Sequence, residues 1–296
     1  MPETEVWTIG RLLNWTTDYL AEQGSPSARL DTELLLAEAC GCERIELYTT
    51  FDTPASDRTR LAFRELVQRR AEGTPVAYLL GRRDFYSLTF RVTPAVLIPR
   101  PETEQLVVTM LDEVKRLTAD NASSPLRIAD VGTGSGILAT CAAHHVDNCH
   151  VTAIDISAEA LEVARSNAET HQVASRIEFI ESDLFDAVAD GEPFDLILSN
   201  PPYVAENELE LMSPETRNYE PRTALIAGPT GVETIERLAP QVATRLKPGG
   251  SFILEISPMI EDRVMALFRD QSVWDPQPVI KDLAGLARVV HVRKAG

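Results

Sequence analysis

The sequence predicts an α/β protein in which a doubly wound, mostly parallel sheet follows a small helical bundle and a β-hairpin. Residues 1–80 carry only helical patterns, residues 84–98 alternate and are rich in β-forming side chains, and strands alternate with helices from residue 126 onward. This alternation is typical of parallel sheets with helices on both faces. The predicted domains are a helical domain at 1–82, a hairpin linker at 83–99 and an α/β domain at 100–296.

Four helices are predicted in the first domain. Thr8 can cap the first helix, because a threonine hydroxyl at this position accepts a backbone N–H. Glycine favours the end of a helix, and the helices run from Thr8 to Gly24, from Ser25-Pro26 to Gly41, from Arg44 to Thr49 and from Ser56 or Asp57 to Gly73. The fourth carries Leu61, Leu66 and Val67 as its apolar positions. No polar cluster is predicted inside this bundle, and the nearby arginines are interpreted as solvated helix ends: Arg69, Arg70, Arg82 and Arg83.

The remaining elements are predicted from the periodicity of their apolar residues and from the Gly, Pro and polar residues between them. Arg100-Pro101 precedes a predicted helix from Glu102 to Leu117, and residues 118–125 form a polar linker. Strands are predicted at 126–131, 150–155, 177–181, 194–199, 250–256, 276–281 and 287–293. Helices are predicted at 135–145, 157–170, 232–246 and 259–270. Ligands of such sheets bind at the carboxyl ends of the strands.

Composition excludes several classes of protein. The net charge of −17 argues against broad neutralisation of nucleic-acid phosphates. No apolar run is long enough for a transmembrane helix, and the acidic start MPETEVWTIG lacks the basic region of a signal peptide. Four cysteines in a chain of 296 residues predict reduced thiols in a cytoplasmic protein rather than a disulfide framework.

The segment RIADVGTGSGILA predicts a strand, a glycine-rich turn and the start of a helix. Gly132, Gly134 and Gly136 permit positive φ and close approach of a ligand to the backbone. A dinucleotide site would require GxGxxG spacing, which Ile137 interrupts. Asp130 before the turn would repel pyrophosphate, but it suits a ligand with a cationic end, such as S-adenosylmethionine.

Acidic residues also follow the next two predicted strands. Asp155 can accept hydrogen bonds from both hydroxyls of a ribose. Asp183 can accept from an adenine amino group, while Leu184 and Phe185 offer apolar cover to the ring. One such acid alone would indicate a solvated strand end or a helix cap. Three acids at successive strand ends beside GTGSG favour a cofactor site.

The fourth strand ends in the motif NPPY. Asn-Pro often marks a stiff turn, which is the simpler interpretation. The Asn200 side-chain oxygen and the Pro201 carbonyl can instead each accept one N–H of a planar amino group, which leaves the nitrogen lone pair facing a methyl group. Tyr203 can stack on the planar group. Holding two reactants at attack distance lowers the barrier to their reaction, so the motif predicts a methyl-transfer site.

Together these motifs resemble the class I S-adenosylmethionine methyltransferases that act on planar nitrogen. Residues 73–107, GTPVAYLLGRRDFYSLTFRVTPAVLIPRPETEQLV, look like the signature of the HemK/PrmC family, and YEPRTALIAGPTGVE and RLKPGGSFILEI fit it as well. The resemblance implies a Rossmann-like class I fold with a helical N-terminal domain. It also implies a protein-(glutamine-N5) methyltransferase that uses S-adenosyl-L-methionine on the Gly-Gly-Gln glutamine of peptide chain release factors.

The resemblance also implies where the reactants bind. The predicted donor site also includes Asp130, the acid before the glycine turn. The residues of this donor site are Asp130, Gly132, Thr133, Gly134, Ser135, Gly136, Asp155, Asp183, Leu184 and Asn200. The predicted site for the substrate glutamine is Asn200, Pro201, Pro202 and Tyr203. Residues near that site without an assigned role are Arg100, Thr103, Glu104 and Glu220. The sequence departs from the family at Ser87 (commonly Gly), at Thr230 (usually Asp) and in EISPM.

The predicted partner is a release factor, docked by the helical domain of a monomer, with no membrane, no direct nucleic-acid contact and no metal. A zinc site could be assembled from Cys141, His144, His145, Cys149 and His150, although their spacing matches no CxxC pattern. The enzymatic alternative is an adenine-N6 or rRNA methyltransferase, which NPPY alone does not exclude. A non-catalytic module that only docks on a release factor is opposed by the intact GTGSG and NPPY motifs.

Overall fold

The computed structural model describes residues 6–119, 124–269 and 272–296. The described chain forms two compact units. The N-terminal unit contains the residues up to Gly81 together with Pro214–Tyr219, and the second unit contains the rest. The middle of the linker predicted at 118–125 and the first residues of the chain lie outside the described ranges. No helix in those ranges is long and apolar enough to cross a membrane.

The helices follow the apolar periodicity of the sequence. In chain order they are α1 (Ile9–Glu22), α2 (Ala28–Cys40), α3 (Glu46–Thr49), α4 (Asp57–Ala71), α5 (Val76–Leu80), α6 (Glu104–Thr118), α7 (Ile137–His145), α8 (Ala158–Thr170), α9 (Pro214–Tyr219), α10 (Glu233–Arg245) and α11 (Glu261–Arg269). Short 3₁₀ turns precede α6 at Pro101–Thr103 and α11 at Pro258–Ile260. Both turns begin with proline, whose fixed φ suits the first turn of a helix.

Caps fix the helices of the N-terminal unit where the sequence predicts them. The Thr8 hydroxyl accepts from the Arg11 N–H at 3.2 Å, and Ser56 accepts from the Thr59 N–H at 3.1 Å. Gly41 ends α2 with φ +67°. Helix α5 is not predicted, because five residues give too short a periodic pattern.

A buried ion cluster lies inside the N-terminal unit, where the sequence analysis predicts no polar group. Arg70 Nε donates to Asp31 Oδ2 at 2.8 Å, and Arg70 Nη2 donates to the Glu215 carboxylate. Arg70 is buried, so its interpretation as a solvated helix end is wrong. Two carboxylates compensate its charge, as a desolvated guanidinium requires. Leu61 is 71% exposed and is not a core position of α4.

Twelve strands are present in the described residues. They are β1 (Arg82–Phe85), β2 (Leu88–Arg91), β3 (Leu126–Val131), β4 (Cys149–Asp155), β5 (Ile177–Glu181), β6 (Phe194–Ser199), β7 (Val204–Ala205), β8 (Ile226–Gly228), β9 (Leu246–Glu255), β10 (Trp274–Pro276), β11 (Ile280–Lys281) and β12 (Ala287–Lys294). Strands β1 and β2 form the hairpin, and β7 pairs with β8. The strand predicted at 276–281 is in fact two short strands, β10 and β11.

The main sheet has the strand order β10-β12-β9-β6-β3-β4-β5. Strands β3, β4, β5, β6 and β9 are parallel, and β12 is antiparallel to β9. The order in which strands are added to the sheet reverses at β3. Strands β4 and β5 lie on one side of β3, whereas β6, the next strand of the sheet in sequence, lies on its other side. Such a switch point leaves a crevice at the carboxyl ends of the two central strands.

Two apolar clusters cover the sheet, one on each face. The first contains side chains of α6, α7 and α8 with the hairpin residues Phe85 and Phe90. The second contains side chains of α10 and α11 with Phe185. The turn of the hairpin holds Tyr86 and Ser87 at φ +47° and +63°. This backbone conformation favours glycine, the residue that the family resemblance implies at the position of Ser87.

Candidate active site at the sheet switch point

A cavity of about 340 Å³ lies at the carboxyl ends of the parallel strands in the second unit. Its wall contains most of the residues predicted from the motifs: Gly132, Thr133, Gly134, Ser135, Asp155, Asp183, Leu184, Asn200, Pro201 and Pro202. A Cβ on Gly132 would lie 3.9 Å from the Asn200 carbonyl oxygen, so the glycine turn and the NPPY corner are neighbours. The switch point therefore brings the two main motifs to one cavity.

The glycine turn is attached to the end of β4. The Gly132 and Thr133 N–H groups both donate to the Ile154 carbonyl, at 2.8 and 2.9 Å. Gly134 has φ +55°, and a Cβ placed on it would meet no atom within 4 Å. This turn therefore leaves open space beside the backbone, which a ligand can occupy.

Asp155 supports this turn from the neighbouring strand. Its Oδ2 accepts from the Gly134 N–H at 2.8 Å, and its Oδ1 accepts from the Ser157 N–H at 3.0 Å. Burial raises the pKa of the Asp155 carboxyl, while these backbone bonds oppose the shift. A carboxylate oxygen can accept more than one hydrogen bond. Asp155 can therefore bind two ligand hydroxyls while it holds the turn.

Asp130 lies beneath the turn and is fully buried. Its Oδ2 accepts from the Thr133 hydroxyl at 2.6 Å and from the Ala139 N–H at 3.0 Å, whereas its Oδ1 has no partner. Burial is the main cause that raises the pKa of Asp130 to about 7. An unpaired buried carboxylate oxygen is costly, but Asp130 is not among the described residues that line the cavity, so its contact with the cationic end of a donor stays a prediction.

Asp130 should make the stability of the free protein depend on pH. Its pKa is raised on folding from 3.8 to about 7, so its contribution is complete below the lower value and is lost as pH rises through the higher one. In the unaltered chain, we expect the free energy of unfolding to fall by about 2–4 kcal/mol as pH rises from 3.8 to about 7. Asp130→Asn should abolish this fall. Urea unfolding at a series of pH values measures the slope, with the exposed Asp147→Asn as control. An unchanged slope in Asp130→Asn would contradict this assignment.

Asn200 follows β6 and is half-buried. Its Nδ2 donates to the Thr103 hydroxyl at 3.3 Å, which leaves Oδ1 as an acceptor. Pro201 and Pro202 continue the wall, whereas Tyr203 is not among the described residues that line the cavity. The Tyr203 hydroxyl donates to Glu255 Oε1 at 3.1 Å, and burial raises its pKa. Its stacking role stays a prediction.

The turn after β5 forms another part of the wall. Asp183 accepts from Arg237 Nη2 at 2.6 Å, in a partly exposed ion pair. Leu184 has φ +51°, a conformation that costs a residue with a Cβ about 1–2 kcal/mol. Phe185, which the sequence analysis places over the ligand, is buried in the core instead, 5.9 Å from the Phe194 ring.

Residues without an assigned role prove to hold the cavity wall. Glu220 is buried and accepts from the Ile98 N–H at 3.1 Å and from Arg100 Nη2 at 2.5 Å. Glu104 accepts from the Tyr86 N–H at 2.9 Å and so fixes the hairpin turn. Glu255 and Arg237 are not singled out by the sequence analysis. Position after a buried strand could have indicated Glu255, as it did Asp155.

The histidines and cysteines of the zinc alternative are dispersed. Cys141 is buried in the core, while His144 and His145 are exposed at the end of α7. The His145 ring packs edge-on against Tyr86 at 5.3 Å and against His144 at 4.9 Å. In the described ranges, no group of three or more His, Cys, Asp or Glu side chains could hold a metal ion.

Two protein families match the chain. Residues 11–81 match the PrmC N-terminal domain, and residues 108–215 match the methyltransferase small domain. A release factor glutamine methyltransferase of Rhodopirellula baltica is 46% identical over 98% of this chain and 97% of the relative. Proteins of the same name are similar in Koribacter versatilis (39% identical, 97% and 99% covered) and in Geobacter sulfurreducens (38%, 98% and 98%).

Solved structures share the fold at low identity. The hMettl16 catalytic domain in complex with a MAT2A 3′UTR hairpin has a TM-score of 0.53 and is 16% identical, with 77% of this chain and 81% of that chain covered. The 16S rRNA methyltransferase RsmC of T. thermophilus in complex with AdoMet and guanosine has a TM-score of 0.50 and is 17% identical, with 72% and 49% covered. The class I methyltransferase fold expected from the sequence is thereby confirmed.

Proposed function

The chain belongs to the release factor glutamine methyltransferase family, and from this premise we propose that it methylates N5 of the glutamine in the Gly-Gly-Gln loop of peptide chain release factors. S-adenosylmethionine is the methyl donor. The observation that carries the proposal is the convergence of the glycine turn, Asp155 and Asn200 on one cavity. A donor and a planar amide can meet there with their reacting atoms close together.

The residues present fit S-adenosylmethionine, which supplies an electrophilic methyl group on its sulfonium. Asp155 has acceptor capacity left for the ribose hydroxyls. The unpaired Oδ1 of Asp130 complements the positive charge of the sulfonium and ammonium groups. Asp183 accepts from the adenine amino group, in competition with Arg237, and Leu184 covers the ring. The open space beside Gly134 receives the rest of the donor.

The NPPY corner holds the acceptor amide. Asn200 Oδ1 and the Pro201 carbonyl each accept one N–H of the glutamine side chain, and Tyr203 stacks on its plane. With both N–H groups bound, the nitrogen lone pair faces the cavity. No general base is required, because the proton leaves to solvent after the transfer. The two prolines keep the carbonyl in place, since their φ angles are fixed.

The direct test is methyl transfer from labelled S-adenosylmethionine to purified, unmodified release factor, followed by peptide mapping. We expect one added methyl group, located on the Gly-Gly-Gln glutamine. Unmodified ribosomal RNA and DNA serve as competing substrates in the same assay. Transfer to a nucleic acid instead of the release factor would overturn the proposal in favour of an adenine-N6 or rRNA methyltransferase.

The helical domain, residues 1–82, is proposed to dock the release factor. Helix α4 carries four exposed arginines and the 71%-exposed Leu61; the arginines are Arg58, Arg60, Arg64 and Arg69. The exposed face of this helix keeps two net positive charges, because the exposed Asp57 and Glu65 offset two of the four arginines and Asp57 pairs with Arg60, whereas the chain as a whole has a net charge of −17. This face fits an acidic surface of the substrate protein, since opposite potentials steer association.

Reversing one charge on this face should weaken the use of intact substrate. We expect Arg64→Glu to raise KM for the whole release factor about three- to tenfold, while transfer to a short Gly-Gly-Gln peptide stays unchanged. Lys281→Glu makes the same charge change at an exposed position on the short strand β11 and serves as control. Equal KM values for Arg64→Glu and Lys281→Glu would remove α4 from the docking surface.

We further propose a cytoplasmic monomer that binds no nucleic acid directly and whose hairpin, residues 83–99, links the helical domain to a catalytic domain at 100–296. The strongly negative charge supports the absence of nucleic-acid contact. The four free cysteines are consistent with a reducing compartment. Sedimentation equilibrium of the purified chain measures the oligomeric state, and a dimer at working concentration would overturn that part.

A further inference from the structure

A buried cluster of polar side chains lies directly behind Asn200. Asn200 Nδ2 donates to Thr103 Oγ1 at 3.3 Å, and Thr103 is fully buried. Glu255, at the end of β9, is 1% exposed and accepts from the Tyr203 hydroxyl at 3.1 Å. The hydroxyls of Thr103 and Tyr203 both lower the pKa of Glu255, against the larger opposing effect of burial. The start of α6, the NPPY corner and β9 therefore meet at one polar cluster.

The donors and acceptors of this polar cluster have a preferred order, which follows from the chemistry of its side chains. A carboxylate only accepts hydrogen bonds, whereas a hydroxyl donates one and can accept others. Glu255 Oε2 is buried and has no partner, so it can accept a hydrogen bond from the Thr103 hydroxyl, which leaves the Thr103 oxygen to accept from Asn200. The Asn200 amide must then point its NH₂ group at Thr103 and its Oδ1 at the cavity.

The reverse orientation of Asn200 has nearly the same shape. A side-chain amide can rotate by half a turn with little change in packing, because its oxygen and nitrogen have similar size. In that orientation the Asn200 NH₂ group would face the NH₂ group of the substrate glutamine. Two donors cannot satisfy each other, so the clamp would fail without any change in the fold.

We propose that Thr103 and Glu255 are positioning residues that fix the Asn200 amide with its oxygen toward the substrate glutamine. The inference rests on the proposed function of Asn200. It gives Thr103 a role and adds Glu255 to the site. Thr103 belongs to the cavity wall but is fully buried, Glu255 is not among the described lining residues, and both act through the orientation of one side chain.

The test compares a variant that keeps the shape of Thr103 with a variant that keeps its hydroxyl. Thr103→Val retains the volume and removes the acceptor, whereas Thr103→Ser retains the hydroxyl. We expect Thr103→Val to lower kcat about tenfold, as the loss of one hydrogen bond predicts, and Thr103→Ser to restore most of the rate. Calorimetric affinity for S-adenosylmethionine and the unfolding temperature should be retained in both full-length variants.

A double-mutant cycle separates positioning from a general structural effect. If Thr103 acts through Asn200, Thr103→Val should cause no further loss in the Asn200→Ala background. Glu255→Gln is the second variant, because it replaces the carboxylate that orders the hydrogen bonds of the cluster. It should lower kcat, and the loss should disappear in the Asn200→Ala background. Additive losses, or equal defects in Thr103→Ser and Thr103→Val, would overturn the inference.

The same assays distinguish a wrong function from a wrong positioning role. If the unaltered chain transfers no methyl group to release factor, the proposed function is wrong. If it does so and Thr103→Val is as active, the function stands and the positioning role is wrong. Binding of a Gly-Gly-Gln peptide, measured by calorimetry without turnover, should weaken in Thr103→Val and recover in Thr103→Ser.

Discussion

Replacing Asn200 with alanine is expected to lower methyl transfer to the release factor by about 100- to 1,000-fold, the cost of removing one preorganised group that stabilises a transition state. The Asn200 oxygen is the acceptor that orients the glutamine N–H, and alanine has none. Steady-state transfer from labelled donor measures the loss. The fold should be retained, because Asn200 is half-buried at the end of β6 and its bond to Thr103 is long, at 3.3 Å.

Two measurements make the Asn200→Ala result specific. Calorimetry should show a smaller loss of donor affinity than in Asp155→Ala, since Asn200→Ala leaves Asp155 and the glycine turn untouched, although Asn200 also belongs to the predicted donor site. Asn148→Ala removes an exposed asparagine amide outside the cavity and should leave transfer unchanged. Turnover of Asn200→Ala close to that of Asn148→Ala would mean that the NPPY corner is only a stiff turn.

Replacing Asp155 with alanine is expected to weaken donor binding by about 100-fold or more. Two hydrogen bonds from ribose hydroxyls to a carboxylate are lost, each worth about 1.5–3 kcal/mol, and tenfold in affinity corresponds to about 1.4 kcal/mol. The variant also frees the Gly134 N–H, which Asp155 holds at 2.8 Å. The glycine turn therefore loses part of its order before any ligand binds. Calorimetric titration with S-adenosylmethionine measures the change.

Glu181 provides a matched control for Asp155. It ends β5 directly beside Asp155 in the strand register, and its side chain is exposed. Glu181→Ala removes one carboxylate from the same edge of the sheet without touching the cavity, so donor affinity should be retained. If Asp155→Ala and Glu181→Ala bound the donor equally well, Asp155 would not belong to the site.

The sequence predicts best those elements whose ends are chemically marked. Strands β3 and β6 have the predicted bounds, because each is an apolar run that stops at a Gly or at Asn-Pro. The hairpin is shorter than predicted, since its second strand β2 ends at Arg91; Ala95, Val96 and Leu97, predicted to continue that strand, line the cavity instead. Strands β7 and β8 have two and three residues, too few to show a period.

The sequence predicts those parts of the candidate site in which each residue lies at the end of a predicted parallel strand. Parallel strands bring their carboxyl ends together, so Asp155, Asp183 and Asn200 could be grouped without a structure. The contact of Asn200 with Thr103 could not, because it joins segments far apart in the chain. The same holds for the burial of Arg70, whose charge is compensated by Asp31 and by Glu215, both far from it in the chain.

The placement of Pro214–Tyr219 in the N-terminal unit has a consequence for biosynthesis. A chain emerging from the ribosome folds its early segments first, yet this unit acquires its last helix only after most of the catalytic sequence has been made. Until then Arg70 has Asp31 but lacks Glu215, and the nascent bundle carries an undercompensated buried cation. The bundle should therefore mature late, together with the sheet, although helices α1 to α5 precede every strand of the described chain.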